Sequence, residues 1–305
     1  MGTFFFTSGD GTRIRGWRNG GTGPTVVMVP GLGTIPQAFP GLVDPDCGFD
    51  VVSFYQRGTF GSEKPADDVA IGVQHHAEDV EALMDTLGID RAILVAWSLG
   101  VNSAFDFTVN NPDRVRALLA IGGVPGGTFD TMLSSLPVPA TLRKLTSHSL
   151  VNALHVASPV LTEVSRRVPV NQMTARLVSR SGFMMPGSDP THLTELLEEF
   201  LRSDWRWFFT LAKAAAGHEA MDVAHLPMPI TFIAATQDAL TSRDAIQETA
   251  NHIPHARVRV VEGSHFIGLE NRDAVLTELV NLTARAQEHE ERTRTDGSFA
   301  GGAAS

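Results

Sequence analysis

Cysteine is nearly absent from the sequence, since Cys47 is the single one among 305 residues. The chain therefore forms no intramolecular disulfide, and we expect it to reside in a reducing compartment, the cytoplasm. The stretch DPDCGFD places no basic residue beside Cys47, so nothing in the local sequence would activate its thiol. A cysteine nucleophile is not expected.

Long apolar runs are also missing. No stretch of about 18 consecutive apolar residues occurs, so the sequence predicts no transmembrane helix and no integral membrane association. The start, MGTFFFTSGDGTRIRG, holds only a short aromatic run before turn residues, which does not fit a signal peptide. Phe6 also breaks the myristoylation pattern.

Positive charge is in short supply, because 24 Lys and Arg residues stand against 34 Asp and Glu residues, a net charge of -10. An acidic chain of this kind argues against nucleic acid or an anionic membrane as the main partner. Phosphate-loop and dinucleotide-binding patterns are missing, and HEAMDVAH lacks the spacing of a metalloprotease motif. We therefore expect neither a cofactor nor a metal.

Strand and helix patterns alternate along most of the chain. The first 30 residues predict a hairpin, and residues 73–87 recur at helical spacing. Short apolar runs predict further strands at 25–29, 49–55, 91–97, 115–122, 229–235 and 256–263. This alternation predicts an α/β fold, with a mostly parallel twisted sheet of about eight strands flanked by helices.

The alternation stops between 124 and 225, where no strand pattern occurs and helical pieces are separated by prolines. The clearest helix begins near Thr191, after which apolar residues recur at i, i+3, i+4 and i+7. We therefore predict a core in two parts, with a helical insertion between them and a disordered tail: 1–123, 124–225, 226–288 and 289–305.

Residues 96–100 read AWSLG and lie between the apolar run AILVAW and a helical pattern. A nucleophilic serine is typically presented by G-x-S-x-G at a tight strand-to-helix turn, where small flanking residues let the backbone pass closely. Ala96 and Gly100 are both small, so Ser98 fits this pattern. The alternative is that Ser98 only caps the following helix.

A serine nucleophile needs a general base and an acid that orients the base. His265, in GSHFIGLE, follows the last strand pattern, and Asp238 follows the strand pattern at 229–235. The carboxyl ends of parallel strands meet at one edge of a sheet, so both residues would lie near Ser98. The alternatives are a capping or surface histidine and a turn aspartate.

An oxyanion hole is also needed, because the tetrahedral intermediate carries negative charge on oxygen. One N–H should come from Leu99, the residue after the serine, and the other from Leu32 in the loop PGLG. Gly31 and Gly33 flank Leu32 and let the backbone approach a substrate closely. The alternative for PGLG is a plain turn.

Together these stretches resemble the α/β-hydrolase fold family over residues 3–288. PGLG resembles the family's His-Gly-x-Gly loop, YQRGTFGS resembles its Asp-x-Arg-Gly-x-Gly-x-Ser stretch, and GSHF resembles its histidine loop. The sequence departs from the family at Pro30, Gln56 and Ala96, where histidine, aspartate and glycine are usual. The resemblance implies a helical cap inserted after strand 6.

The resemblance also implies a serine hydrolase that acts on a carboxylic ester or a related small acyl substrate without a cofactor. Thioesterase, acyltransferase, C–C bond hydrolase and haloperoxidase-like activities are alternatives on the same fold. A serine in place of a carboxylate argues against epoxide hydrolase or dehalogenase chemistry. A non-catalytic small-molecule receptor is the alternative outside the enzymes.

The substrate pocket is indicated only weakly by the sequence. Trp97 either lines it or packs beneath the sheet. Apolar residues of the insertion suggest a lipophilic pocket, although many of them must form the insertion's own core: Leu136, Val138, Leu154, Val156, Val160, Phe183, Met184 and Met185.

Overall fold

The computed structural model describes residues 1–127, 140–180, 184–185 and 190–301. Within these residues an eight-stranded sheet has the strand order β1-β2-β4-β3-β5-β6-β7-β8. Only β2 runs antiparallel to its neighbours, so the predicted mostly parallel sheet is confirmed. The strands are β1 Gly2–Thr7, β2 Arg13–Arg18, β3 Thr25–Val29, β4 Asp50–Phe54, β5 Ala92–Trp97, β6 Val115–Ile121, β7 Ile230–Ala235 and β8 Ala256–Val261.

Helices cover both faces of the sheet, α2, α3 and α8 on one face and α1 and α10 on the other. The central strands are buried on both sides, which is why β5 is a continuous apolar run. The helices are α1 Pro40–Val43, α2 Val73–Thr86, α3 Gly100–Asn110, α4 Ala140–Ser165, α5 Gln172–Ser179, α6 Pro190–Leu201, α7 Trp205–Ala216, α8 Arg243–Asn251, α9 Ile267–Glu270 and α10 Arg272–Gly301.

Helices α4 to α7 lie between β6 and β7, and in the described part of this segment no strand occurs. We call these four helices the cap. Helix α4 packs on α7, and α5 packs on α6. The bounds of the predicted insertion, 124 and 225, stay a prediction, and residues 128–139 lie outside the described residues.

The end of the chain differs from the prediction. Helix α10 continues to Gly301, so residues 289–301 are helical and not a disordered tail. Glu290 explains part of the difference, because it accepts two hydrogen bonds of 3.0 Å from Arg116 on β6 and also pairs with Arg91. These contacts attach the helix to the sheet beyond residue 288.

The YQRGTFGS stretch places Arg57 in the interior, where its side chain is fully buried. Its guanidinium donates two hydrogen bonds to Asp79 on α2, at 2.9 and 2.8 Å, and also pairs with Asp10. Burial alone would raise the pKa of Asp79, but the nearby imidazole of His76, 3.6 Å away, and the hydrogen bonds and charge of Arg57 hold it below its ordinary value.

Replacing Asp79 by asparagine should lower the free energy of unfolding by about 3 kcal/mol at neutral pH, because it leaves a buried guanidinium undercompensated. Since folding lowers the pKa of Asp79, its contribution is complete above the unfolded pKa of about 4 and is lost as the pH falls through the lower folded pKa. Urea unfolding at several pH values should therefore show the difference from wild type shrinking below about pH 4.

Asp85→Asn is the matched control, since Asp85 lies on the same helix and its exposed side chain pairs with Arg114. This substitution should lower the free energy of unfolding by less than about 1 kcal/mol. An Asp79→Asn protein as stable as this control would show that the buried pair does not stabilise the fold.

Candidate active site

Ser98 lies at the sharp corner between β5, which ends at Trp97, and α3, which begins at Gly100. Its φ of 55° falls in the left-handed region, which is strained for a residue with a side chain. A Cβ on Gly100 would lie 2.4 Å from the carbonyl oxygen of Val29, so only glycine fits there. The capping alternative fails, because Leu99 precedes the helix and no side chain caps it.

A chain of hydrogen bonds runs from Ser98 through His265 to Asp238. The Oγ of Ser98 lies 2.9 Å from Nε2 of His265, and Nδ1 of His265 lies 2.8 Å from Oδ2 of Asp238. The side chains of His265 and Asp238 are 5% and 2% exposed, so little water competes for these bonds. The three residues follow β5, β7 and β8, and the sheet brings them together at its carboxyl edge.

Asp238 is fixed by the turn that follows it. Its Oδ1 accepts hydrogen bonds from the N–H groups of Leu240 and Thr241, both at 2.8 Å. The hydroxyl of Thr241 donates to the carbonyl oxygen of Gly122, at the end of β6. One oxygen of Asp238 therefore makes the contacts of a turn aspartate, and the other oxygen is bonded to His265.

Trp97 holds His265 in place and also borders the cavity above Ser98. Its indole N–H donates to the main-chain oxygen of His265 at 2.9 Å, and the two rings lie 5.3 Å apart. It also packs edge-on against Phe39 below the cavity. The sequence left open whether Trp97 lines the pocket or packs inside the protein, and in the structure it does both.

Glu270 supports the histidine loop in a way that the sequence analysis missed. Its carboxylate accepts hydrogen bonds from the N–H and hydroxyl of Ser264, at 2.6 and 2.7 Å, and from the N–H of Met185 at 2.7 Å. The residue before His265 is thereby connected to the segment between α5 and α6. The only signal in the sequence was an acidic residue five positions after His265.

The loop PGLG lies directly against Ser98. A Cβ on Gly31 would meet the carbonyl oxygen of Trp97 at 2.6 Å and the Cβ of Ser98 at 3.1 Å. The buried Gln56, one of the departures from the family pattern, accepts a hydrogen bond from the N–H of Gly33 at 3.2 Å and so holds the loop. A glutamine replaces the usual aspartate here as an acceptor.

The N–H groups of Leu32 and Leu99 are those expected to receive the oxyanion. Within the described part of the chain, neither donates to a protein acceptor. Both residues border the cavity above Ser98, as does Gly33, whereas Gly31 does not. The two N–H groups are therefore available to a ligand beside Ser98.

A cavity of about 430 Å³ opens above Ser98, between the sheet edge and the cap. Its described wall contains no Asp, Glu, Lys or Arg, and His265 is the one lining residue there that can carry a positive charge. The lining residues are Leu32, Gly33, Thr34, Ile35, Ala38, Trp97, Ser98, Leu99, Leu150, Val151, Leu154, Val178, Met184, Leu193, Leu196, Leu197, Phe200, Leu201, Trp205, Phe208, Phe209, Ala212, Leu240, Thr241, His265 and Phe266.

The pocket residues predicted from the cap divide into four groups. Leu154 and Met184 line the cavity. The prediction is wrong for Val156 and Val160, which are 80% and 67% exposed because they lie on the side of α4 opposite Val151 and Leu154. Met185 is not part of the wall. Leu136, Val138 and Phe183 lie outside the described residues.

The thiol of the single cysteine is not activated. Cys47 bonds with Asn19 and Phe49, and burial raises the pKa of its thiol. Among residues 1–127, 140–180, 184–185 and 190–301, no group of three His, Cys, Asp or Glu side chains could hold a metal ion. In the same part of the chain no helix is both long and apolar enough to cross a membrane.

The fold matches that of a known family. Residues 24–272 match the family model of the α/β-hydrolase fold. The chain belongs to that family.

Curated relatives are named for different substrates. The chain is 30% identical over 109 residues to the 2-(acetamidomethylene)succinate hydrolase of Mesorhizobium japonicum, and 31% identical over 110 residues to a 2-hydroxy-6-oxononadienedioate hydrolase of Paraburkholderia phymatum. These matches cover 35% and 33% of this chain, and only 38% of each relative. A Caulobacter sp. protein named for carbamate hydrolysis matches 71% of this chain and 74% of its own length, at 25% identity.

Solved structures match almost the whole chain. A carboxylesterase of Nitrososphaera gargenis has a TM-score of 0.72 at 18% identity, with 93% of this chain and 99% of that chain covered. The enol-lactonase of Burkholderia xenovorans LB400 has a TM-score of 0.66 at 21% identity, with 92% and 100% covered. At such identities the likeness establishes the fold alone.

Proposed function

We propose that this chain is a serine hydrolase that cleaves an uncharged, lipophilic carboxylic ester or lactone, with Ser98 as the nucleophile. The observation that carries the proposal is the continuous hydrogen-bonded chain from Ser98 through His265 to Asp238 at the floor of an apolar cavity. A small-molecule acyl substrate is thus the expected partner, and the proposed steps require no cofactor.

In the first step, the Oγ of Ser98 forms a bond with the substrate's carbonyl carbon while Nε2 of His265 takes the hydroxyl proton. The carbonyl oxygen becomes negatively charged. The N–H groups of Leu32 and Leu99 donate hydrogen bonds to this oxygen. They stabilise its charge because they are oriented before the reaction begins. Asp238 stabilises the imidazolium and keeps its Nδ1 proton in place.

The tetrahedral intermediate then collapses. The bond to the leaving alkoxide breaks, and His265 returns the proton to that oxygen, which leaves an acyl group on Ser98. A water molecule attacks the acyl carbon, with His265 accepting its proton, and the carboxylic acid departs as Ser98 regains its hydroxyl. In a lactone the alcohol and the acid are parts of one product.

The described cavity wall contains no Asp, Glu, Lys or Arg, which favours uncharged esters and lactones over the substrates after which the curated relatives are named. The names succinate and nonadienedioate denote substrates with carboxylates, which a site must pair with cations or solvate. The described cavity wall offers neither an arginine nor a lysine. A C–C bond hydrolase for a dianionic substrate would therefore lack its substrate anchor here.

The remaining alternatives use the same residues. A thioesterase would follow the same steps with sulfur as the leaving atom, and an acyltransferase would replace water with an alcohol. A haloperoxidase-like enzyme would need a different second reactant. A receptor would bind in the cavity without acylating Ser98, although the intact chain of hydrogen bonds supports catalysis.

A pair of chromogenic esters tests the substrate class. The p-nitrophenyl esters of butyric and succinic acid have acyl chains of similar length, but only the succinate carries a carboxylate. We expect kcat/KM for the butyrate to exceed that for the succinate by about 100-fold, because the carboxylate would enter an apolar cavity unpaired.

Ester and thioester analogues of different chain lengths complete the panel. Equal rates on butyrate and succinate would contradict the substrate class but not the nucleophile. Binding of an ester without any release of p-nitrophenol, even in a first turnover, would contradict the proposal that the chain is an enzyme. It would favour a non-catalytic receptor.

A further inference from the structure

Large apolar side chains are exposed on the outer side of the cap. Of the eleven exposed large apolar side chains in the described residues, six lie on α4 and α5. Five of the six are more than half exposed, and we call them the outer cap face: Val156, Val160 and Val164 on α4, with Met173 and Leu177 on α5. The three valines recur at i, i+4 and i+8 on α4 and so form a continuous apolar stripe, and contiguous exposed apolar surface marks an interaction site.

The exposure follows from the way the two helices are turned. In α4, Val151, Leu154 and Ser158 face inward, and the first two line the cavity. The three exposed valines recur four residues apart on the opposite side. In α5, Ala175 is buried and Val178 lines the cavity, so Met173 and Leu177 face away from it. Both helices therefore have a cavity face and an outer face.

Positive charge accompanies these apolar side chains. Residues 140–180 contain a single acidic residue, Glu163, within a chain whose net charge is -10. The same segment contains six basic residues: Arg143, Lys144, Arg166, Arg167, Arg176 and Arg180. Of these, the last four are exposed, and Arg167 pairs with Glu163. The overall acidity of the chain thus conceals a local basic region.

We propose that the outer cap face docks on the surface of an anionic lipid layer. Apolar side chains beside arginines are typical of helices that lie in a membrane interface, where the apolar groups enter the acyl region and the cations contact anionic headgroups. A nucleic acid backbone would use the arginines but leave the valines unburied. The proposal revises the expectation, drawn from net charge, that an anionic membrane is not a partner.

Leu150 connects this surface with the cavity. It is 45% exposed on α4, and it also lines the cavity above Ser98. Docking through the neighbouring turns of α4 would bring the cavity mouth close to the lipid. A lipophilic ester could then pass from the lipid layer into the cavity with little exposure to water.

Vesicle binding of the full chain tests the proposal without requiring turnover, so its outcome is independent of the proposed function. Cosedimentation is measured with vesicles of phosphatidylcholine containing phosphatidylglycerol, and with phosphatidylcholine alone. We expect binding to the anionic vesicles that weakens at high salt. The double variant Val160→Asp/Leu177→Asp should reduce the partition coefficient by about tenfold or more, since it puts two carboxylates against anionic headgroups.

Val280→Asp is the matched control, because Val280 is 55% exposed on α10, away from the cap. It should bind within about twofold of wild type, and both variants should give the circular dichroism spectrum of wild type, which shows that they are folded. Absence of binding to anionic vesicles, or equal binding by the double variant and the control, would overturn the proposal. So would a wild-type dimer that the double variant dissociates, since a second copy would then cover the outer cap face.

Discussion

Replacing Ser98 by alanine should lower kcat by about 10⁴- to 10⁶-fold, because the hydroxyl is the atom that forms the bond with the substrate. The residual rate would come from the oxyanion N–H groups and the cavity, which remain in place. KM should change little if the first chemical step is slow, since binding depends on the cavity wall. Steady-state kinetics on a p-nitrophenyl ester measure both constants.

Ser103→Ala is the matched control, because Ser103 is a buried serine on α3 that does not line the cavity. Its kcat should stay within about threefold of wild type. A Ser98→Ala protein with more than about a tenth of wild-type activity would show that another group performs the attack.

Asp238→Asn should lower kcat by about 10⁴-fold, with the fold retained. Oδ1 of Asp238 accepts hydrogen bonds from Leu240 and Thr241, so the amide oxygen of an asparagine would take that position. Its NH₂ group would then face Nδ1 of His265. The imidazole would have to carry its proton on Nε2, where it could no longer accept the proton of Ser98.

The measurement compares kcat for Asp238→Asn and for Asp244→Asn, an exposed aspartate in the first turn of α8. The control should stay within about twofold of wild type. A loss of less than about tenfold in Asp238→Asn would mean that Asp238 acts only as a turn residue and does not set the imidazole's proton.

The elements that position the site could be predicted from sequence because they rest on local rules. The alternation of strand and helix patterns predicts the parallel sheet, and such a sheet brings the residues after its strands to one edge. This is how residues as far apart as Ser98 and His265 could be expected to lie together. The distances between their atoms came only from the structure.

Supporting contacts could not be predicted, because they join residues that are distant in the chain through side-chain directions. The indole of Trp97 reaches the main chain of a residue 168 positions away. The carboxylate of Glu270 reaches Met185, 85 positions away, and Gln56 reaches Gly33. No periodicity or motif encodes such pairs.

Apolar composition misled the pocket prediction because it does not show how a helix is rotated. Leu154 and Val156 are both apolar and lie two positions apart on α4, yet Leu154 faces the cavity while Val156 faces outward. Net charge has a similar limit, since it averages the basic segment 140–180 with an acidic remainder. Both properties depend on position in the fold.

The central claim, that Ser98 is the nucleophile, is tested most directly by locating a covalent adduct. The protein is treated with a fluorophosphonate, which phosphonylates an activated serine, and digested, and the modified peptide is sequenced by mass spectrometry. We predict a single adduct on Ser98, with no labelling of Ser98→Ala. An adduct on another residue, or persistent labelling of that variant, would contradict the account.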